Sequence, residues 1–93
     1  MATRKKSIID NERRCHICGS TEDLHKHHVI HGWANRKLSD EDGLWVYLCM
    51  ECHMNLHDYG IHNRDLQIEA EEKWIQTYGT EEEFRKRYGK SYF

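Results

Sequence analysis

The chain has 93 residues, of which 38% are hydrophobic and 32% charged, with a formal net charge of −2. This length fits one small domain. A domain of this size has a small hydrophobic core and often needs a bound metal or a disulfide for stability. No apolar run is long enough to cross a membrane, and the basic N-terminus lacks the apolar stretch of a secretory signal. We therefore expect a cytoplasmic protein in a reducing compartment.

Charge is unevenly distributed along the chain. Residues 1–37 carry eight Lys and Arg against four Asp and Glu, whereas residues 38–93 carry six against twelve. A basic N-terminal part is suited to contact with a phosphate backbone. We predict a basic tail over residues 1–14, with Arg4, Lys5 and Lys6 solvated, followed by a single domain over residues 15–93.

The first predicted elements form a β-hairpin. Cys15 to Gly19 form a tight turn, and the apolar pair Val29–Ile30 predicts a short strand that begins at His27. Residues 32–43 are polar and are broken by two glycines, so we predict a loop with room for one capped helical turn. Residues 44–48 are strand formers and predict the second strand.

Helices are predicted for the rest of the chain. Residues 50–58 form a short helix that ends at Gly60. Apolar residues recur every four positions over residues 65–78 and predict a longer helix. Thr80 and Glu83 form a capping box for a last helix over residues 81–88, with Gly89 at its end. The predicted fold class is α+β, with a β-hairpin-α core and C-terminal helices.

All four cysteines fall into two identical C-x-x-C pairs, Cys15/Cys18 and Cys49/Cys52. A two-residue gap lets both thiolates of one turn reach a single ion, and two such turns complete a tetrahedral zinc site. Four ligands leave no open position, which indicates a structural zinc. The alternatives are reduced core cysteines, which the paired spacing disfavours, and a redox motif, which lacks its usual βαβ context.

Histidine is unusually frequent, with eight in the chain and six between residues 25 and 57. His53 and His57 are four residues apart in a predicted helix, so they share one face and could share one metal. His27 and His28 are neighbours in a predicted strand and point to opposite faces. One of them can therefore bind a metal while the other faces a substrate.

The order of these motifs resembles the HNH nucleases of the ββα-metal, treble-clef type. The resemblance rests on C-x-x-C, then Lys-His-His-Val-Ile, then a strand that ends in Leu-Cys-x-x-Cys-His, and it covers roughly residues 15–62. The segments Ala-Asn-Arg-Lys-Leu-Ser, Gly-Ile-His and Phe-x-x-x-Tyr-Gly-Lys-Ser-Tyr are also similar to small phage and prophage HNH proteins. These segments extend the likeness to the C-terminus.

The resemblance assigns roles to individual histidines. It implies that His28 is the general base, that His27 is a metal ligand, and that His53 is a second ligand. For the third ligand, His57 fits by helical spacing, and His62 fits by its Gly-Ile-His context. We favour His62 and retain His57 as the alternative.

The central Asn of the HNH pattern is absent from its usual place. That position, nine residues before His53, is Leu44. We take Asn35, in the predicted loop, as its substitute, where the amide could brace the loop and orient His28. An ordinary turn residue is the alternative for Asn35.

The predicted function is a metal-dependent DNA endonuclease that acts on duplex DNA with little sequence choice. A neutral histidine can deprotonate water, and one Mg²⁺ (or Zn²⁺, Mn²⁺ or Ni²⁺) can polarise the phosphate. Arg36 or Lys37 could contact the phosphate, as could Arg14 or Arg64. High specificity would require a protein partner. A phage or prophage origin, hence a bacterial host cytoplasm, follows from the resemblance alone.

The alternative function is a zinc-stabilised module that binds nucleic acid or protein without catalysis. It accounts for the four cysteines and for the basic N-terminal part. It leaves the clustered histidines without a role.

Overall fold

A computed structural model describes residues 6–30 and 32–93. In this part of the chain the fold is α+β, as predicted, with one two-stranded antiparallel sheet and four helices. The elements in order are β1 (Leu24–His28), α1 (Trp33–Asp42), β2 (Trp45–Cys49), α2 (Met50–Tyr59), α3 (Asn63–Thr77) and α4 (Glu81–Tyr88).

The sheet pairs β1 with β2 so that His28 lies opposite Trp45 and Leu24 lies opposite Cys49. The first strand begins three residues before the predicted one. Val29 and Ile30, which suggested that strand, come after it and are completely buried. Their apolar character reflects their place in the core, and it did not indicate where the strand lies.

The predicted loop over residues 32–43 is wrong, because most of this segment is helix α1. Gly32 precedes the helix, and Gly43 ends it in a left-handed conformation with φ of 76°. The two glycines are therefore helix ends, which is the usual position of a glycine that follows a helix. A Cβ atom at Gly43 would also clash with the carbonyl oxygen of Lys6.

The three later helices agree with the sequence to within two residues at each end. Gly60 ends α2 and Gly89 ends α4, both with positive φ. The capping box is confirmed, since Thr80 accepts a hydrogen bond from the Glu83 backbone and the Glu83 carboxylate accepts one from the Thr80 backbone. Helix α3 begins at Asn63, two residues before the predicted start.

The core lies between the sheet and the helices. Its largest fully buried apolar side chains include Phe84, Ile30, Leu44, Leu48 and Val46. Strand β2 and helices α2, α3 and α4 all contribute buried residues to this core, among them Val46, Leu56, Leu66, Ala70, Trp74 and Phe84. In the described residues, none of the helices is long and apolar enough to span a membrane.

The N-terminal segment differs from the predicted tail over residues 1–14. Ser7 donates a hydrogen bond to the carbonyl oxygen of Trp45, and the Ile8 backbone donates one of 2.9 Å to Gly43. Ile8 and Ile9 pack against the core. This segment packs against the domain because it carries two isoleucines. The prediction of a tail rested on its charges and did not take these isoleucines into account. Arg4 and Lys5 lie outside the described residues, and Lys6 is exposed.

Candidate metal centres and the paired histidines

The structure brings all four cysteines into one group. The sulfur atoms of Cys15, Cys18, Cys49 and Cys52 lie within 4.8 Å of one another. The Sγ atoms of Cys18 and Cys49 are 3.6 Å apart. Zinc–sulfur bonds of ~2.3 Å in a tetrahedron separate the sulfurs by about 3.8 Å, so the group could hold a structural metal such as zinc.

Local backbone geometry positions these thiols. The Cys15 amide donates to the Ser20 carbonyl at 2.7 Å, and the Gly19 amide donates to the Cys15 carbonyl at 2.9 Å, which closes the first turn. The His16 amide donates to the Tyr47 carbonyl at 2.8 Å and fixes this turn against β2. The second pair lies at the beginning of α2, where Cys49 is the N-cap residue.

The environment of Cys15 favours its thiolate. Burial opposes ionisation, but backbone amides of Cys18, Cys49 and Ile17 point at the sulfur and outweigh burial, so the pKa of Cys15 falls to about 6. Burial and the three neighbouring sulfurs raise the pKa of Cys52. Four thiolates without a cation between them would repel one another, so the arrangement suits a bound divalent ion.

A second group consists of His27, His53 and His57, whose ring nitrogens also lie within 4.8 Å of one another. His27 comes from β1 and is 3% exposed, whereas His53 and His57 come from successive turns of α2. The Nε2 atoms of His53 and His57 are 3.1 Å apart. The ring of His27 meets those of His53 and His57 edge-on, with centroids 5.2 and 5.9 Å away.

These distances fit a metal site. Two imidazole nitrogens bound to one ion at ~2.0–2.1 Å are about 3.0–3.4 Å apart, depending on the coordination geometry. Burial, together with His57 and His25 nearby, lowers the pKa of His53. The neutral imidazole is the form that binds a metal, so these three side chains could hold a divalent cation.

His28 lies on the other face of β1. Its Nε2 atom is 2.9 Å from Oδ1 of Asp40, a residue of α1. Lys26, two residues earlier on the same strand, donates to the same oxygen at 2.7 Å. Burial opposes ionisation of Asp40, but the bonds from Lys26 and His28 outweigh it and lower the pKa of Asp40 below its usual value.

His62 does not belong to the three-histidine group, although the sequence favoured it. It is exposed and adopts a left-handed conformation with φ of 66° just before α3. Its Nδ1 atom is 3.8 Å from Asp65, and it lines a cavity of about 440 Å³ beside His16. The turn at Gly60 carries the chain away from α2, so His57 replaces His62 as the candidate third ligand.

The remaining predicted site residues lie on or near α1. Asn35 is half-buried in the first turn of this helix, with its amide beside Gly32. Arg36 and Lys37 follow it and are exposed, as are Arg14 and Arg64 elsewhere. Leu44, at the place of the HNH asparagine, is completely buried and belongs to the core.

Sequence reasoning missed three residues around these sites. Asp40 was placed in a loop, and its contact with His28 needs α1, which the glycines at both ends of the segment could have signalled. His25 was left without a role, yet its ring centroid is 5.6 Å from that of His53. His16 also received no role, and it is half-buried, with Nδ1 2.7 Å from the Asp10 carboxylate and Nε2 2.8 Å from that of Glu69.

No family model, curated protein or solved structure matches this chain. The likeness to HNH nucleases therefore rests on the sequence motifs described above. His31, which flanks the paired histidines, lies outside the described residues.

Proposed function

We propose that this domain is a metal-dependent DNA endonuclease of the HNH type, with a treble-clef arrangement around a structural zinc. One observation carries the proposal. The adjacent residues His27 and His28 point in opposite directions, the first toward His53 and His57 and the second toward Asp40. This is the division between a metal ligand and a proton acceptor that hydrolysis of a phosphodiester requires.

The two histidines are the last two residues of β1. Their Cα atoms are about 3.8 Å apart because they are consecutive residues. We propose that a phosphate bound across the end of β1 contacts both side chains. A divalent ion bound by the three histidines would polarise this phosphate and neutralise its charge. His28 would take the proton from the attacking water, a contribution of about 10²–10⁴-fold.

Duplex DNA is the proposed substrate, and the basic residues suggest where it lies. Arg36 and Lys37 are exposed on α1, the helix that also carries Asp40. The C-terminal part of the chain is acidic and would repel phosphate, so DNA would lie on the side of β1 and α1. So small a surface reads few base pairs, which favours a protein partner for specificity.

A non-catalytic zinc module is the second candidate. One observation favours it, namely that Leu44 occupies the place of the HNH asparagine and is completely buried. No side chain at that position can orient the base. The three-histidine group argues for catalysis, because a module held together by four cysteines has no need of it.

Nicking of supercoiled plasmid tests the proposal. Zinc-loaded protein is incubated with plasmid and with Mg²⁺, Mn²⁺, Ni²⁺ or Zn²⁺ in separate reactions. We expect relaxed circles in at least one reaction and a large loss with His28→Ala, whereas His62→Ala is the matched histidine control. Plasmid that stays supercoiled with every ion contradicts the nuclease and favours the binding module.

A further inference from the structure

Helix α1 contacts the proposed base through the carboxylate of Asp40. Oδ1 of Asp40 lies 2.9 Å from Nε2 of His28 and 2.7 Å from Nζ of Lys26. Lys26 and His28 are two residues apart on β1 and so share one face of the strand. The Asp40 side chain is 48% exposed and that of His28 is 18% exposed, so the carboxylate reaches in from the solvent side.

The chemistry of this contact determines the tautomer of His28. An ionised carboxylate only accepts hydrogen bonds, and the ammonium of Lys26 on the same oxygen stabilises that ionised form. Nε2 of His28 must therefore carry the hydrogen of the pair. In the neutral ring the lone pair is then on Nδ1, the only nitrogen left to accept a proton.

We propose that Asp40 is a positioning residue, which holds His28 as the Nε2–H tautomer with Nδ1 open toward the attacking water. This inference rests on the proposed nuclease function. Nδ1 takes one proton from water as the water oxygen bonds to phosphorus. The bond from phosphorus to the 3′ oxygen breaks, and that oxygen takes a proton from solvent. Asp40 keeps its charge throughout and stabilises the imidazolium that forms.

Kinetics of four variants test this role. Asp40→Asn keeps the size of the side chain but removes its charge, and Glu41→Gln removes a neighbouring charge on the same helix as the matched control. His28→Ala and the double variant Asp40→Asn/His28→Ala complete a cycle. Plasmid nicking is followed with protein in excess, which separates the maximal rate from the protein concentration at half-saturation.

We expect Asp40→Asn to lower the maximal rate by about 10- to 100-fold, less than a buried triad aspartate because water can partly replace an exposed carboxylate. The half-saturating concentration should stay unchanged, and Glu41→Gln should match the wild type. The double variant should be no slower than His28→Ala, because Asp40 acts only through His28. An unchanged rate in Asp40→Asn, or a further loss in the double variant, overturns the positioning role.

A second measurement does not depend on cleavage. Long-range ¹H–¹⁵N correlation spectra of the zinc-loaded wild-type protein distinguish the two imidazole tautomers. The proposal predicts the Nε2–H form for His28, and a dominant Nδ1–H form overturns it. If the wild-type protein fails to nick plasmid with any of the ions tested, the nuclease function is overturned, and the catalytic role of Asp40 is overturned with it. If the wild-type protein nicks plasmid and Asp40→Asn nicks it at the same rate, only the positioning role of Asp40 is overturned.

Discussion

The carboxylate of Asp42 accepts a hydrogen bond of 2.8 Å from the indole nitrogen of Trp74, which joins the end of α1 to the last turn of α3. The same carboxylate accepts bonds from Arg87 at 2.6 and 3.0 Å and from the hydroxyl of Tyr88 at 2.6 Å, both residues of α4. Burial and the Asp42 charge raise the pKa of Tyr88, so its hydroxyl remains a donor. One buried acid thus holds three helices together.

Replacement of Asp42 by alanine should lower the free energy of unfolding by about 2–4 kcal/mol, because buried donors on Trp74 and Tyr88 lose a charged acceptor. Urea denaturation of zinc-loaded protein measures the loss. Glu41→Ala is the control, since Glu41 is exposed and bonds only Arg87 among the described residues, at 3.0 Å. The control should cost no more than about 1 kcal/mol. Equal losses in the two variants would contradict the special role of Asp42.

Cys49→Ala should remove the tightly held zinc and unfold the domain. The ion would lose one of four ligands, and the binding energy of a structural zinc is largely folding energy. Elemental analysis after dialysis against a weak chelator should show about one zinc in the wild-type protein and none in the variant. His57→Ala, which alters the other group, should keep that zinc. A folded Cys49→Ala protein with its zinc intact would refute the four-cysteine site.

The choice of third histidine is tested by a matched pair of exposed histidines. His57→Ala should weaken binding of a divalent ion to the histidine group, because its Nε2 is 3.1 Å from that of His53. His62→Ala should leave this affinity unchanged. Calorimetric titration of Ni²⁺ or Mn²⁺ into zinc-loaded protein gives both values. The reverse result would restore His62 as the ligand.

Stability should depend on pH through His16. Burial lowers the pKa of His16, but hydrogen bonds to Asp10 and Glu69 outweigh burial and raise it above the usual ~6.5. A raised pKa in the folded state stabilises the protein fully below ~6.5, and this contribution is lost as the pH rises through the folded pKa. The advantage of the wild type over His16→Gln in urea denaturation should therefore shrink from pH 6 to pH 9. An advantage that grows over this range would contradict the assignment.

The parts of the fold that followed from the sequence are those set by local spacing. Cys15 and Cys49 each begin a C-x-x-C pair. Two such pairs can share one metal ion only if the two turns lie side by side, so the spacing alone predicted this contact. The capping box at Thr80 and the stop at Gly89 are also local signals. The same holds for the opposite directions of His27 and His28, which follow from the period of a strand.

The parts that failed depend on contacts between distant segments. Helix α1 has few apolar residues, and the side-chain partners of its residue Asp42 lie more than 30 residues away. His62 satisfied a local motif, but the left-handed turn after Gly60 directs it elsewhere. Asp40 meets His28 only because α1 packs beside β1, so its role required the tertiary structure.

Helix α2 contributes residues to both candidate metal groups, with Cys52 in its first turn and His53 and His57 further along. A helix is stiff and rises about 1.5 Å per residue, so Cys52 and His57 are only about 7.5 Å apart along its axis. Whatever displaces the first turn therefore displaces the histidines as well. The geometry of the three-histidine group is therefore tied to that of the four-cysteine group through one stiff helix.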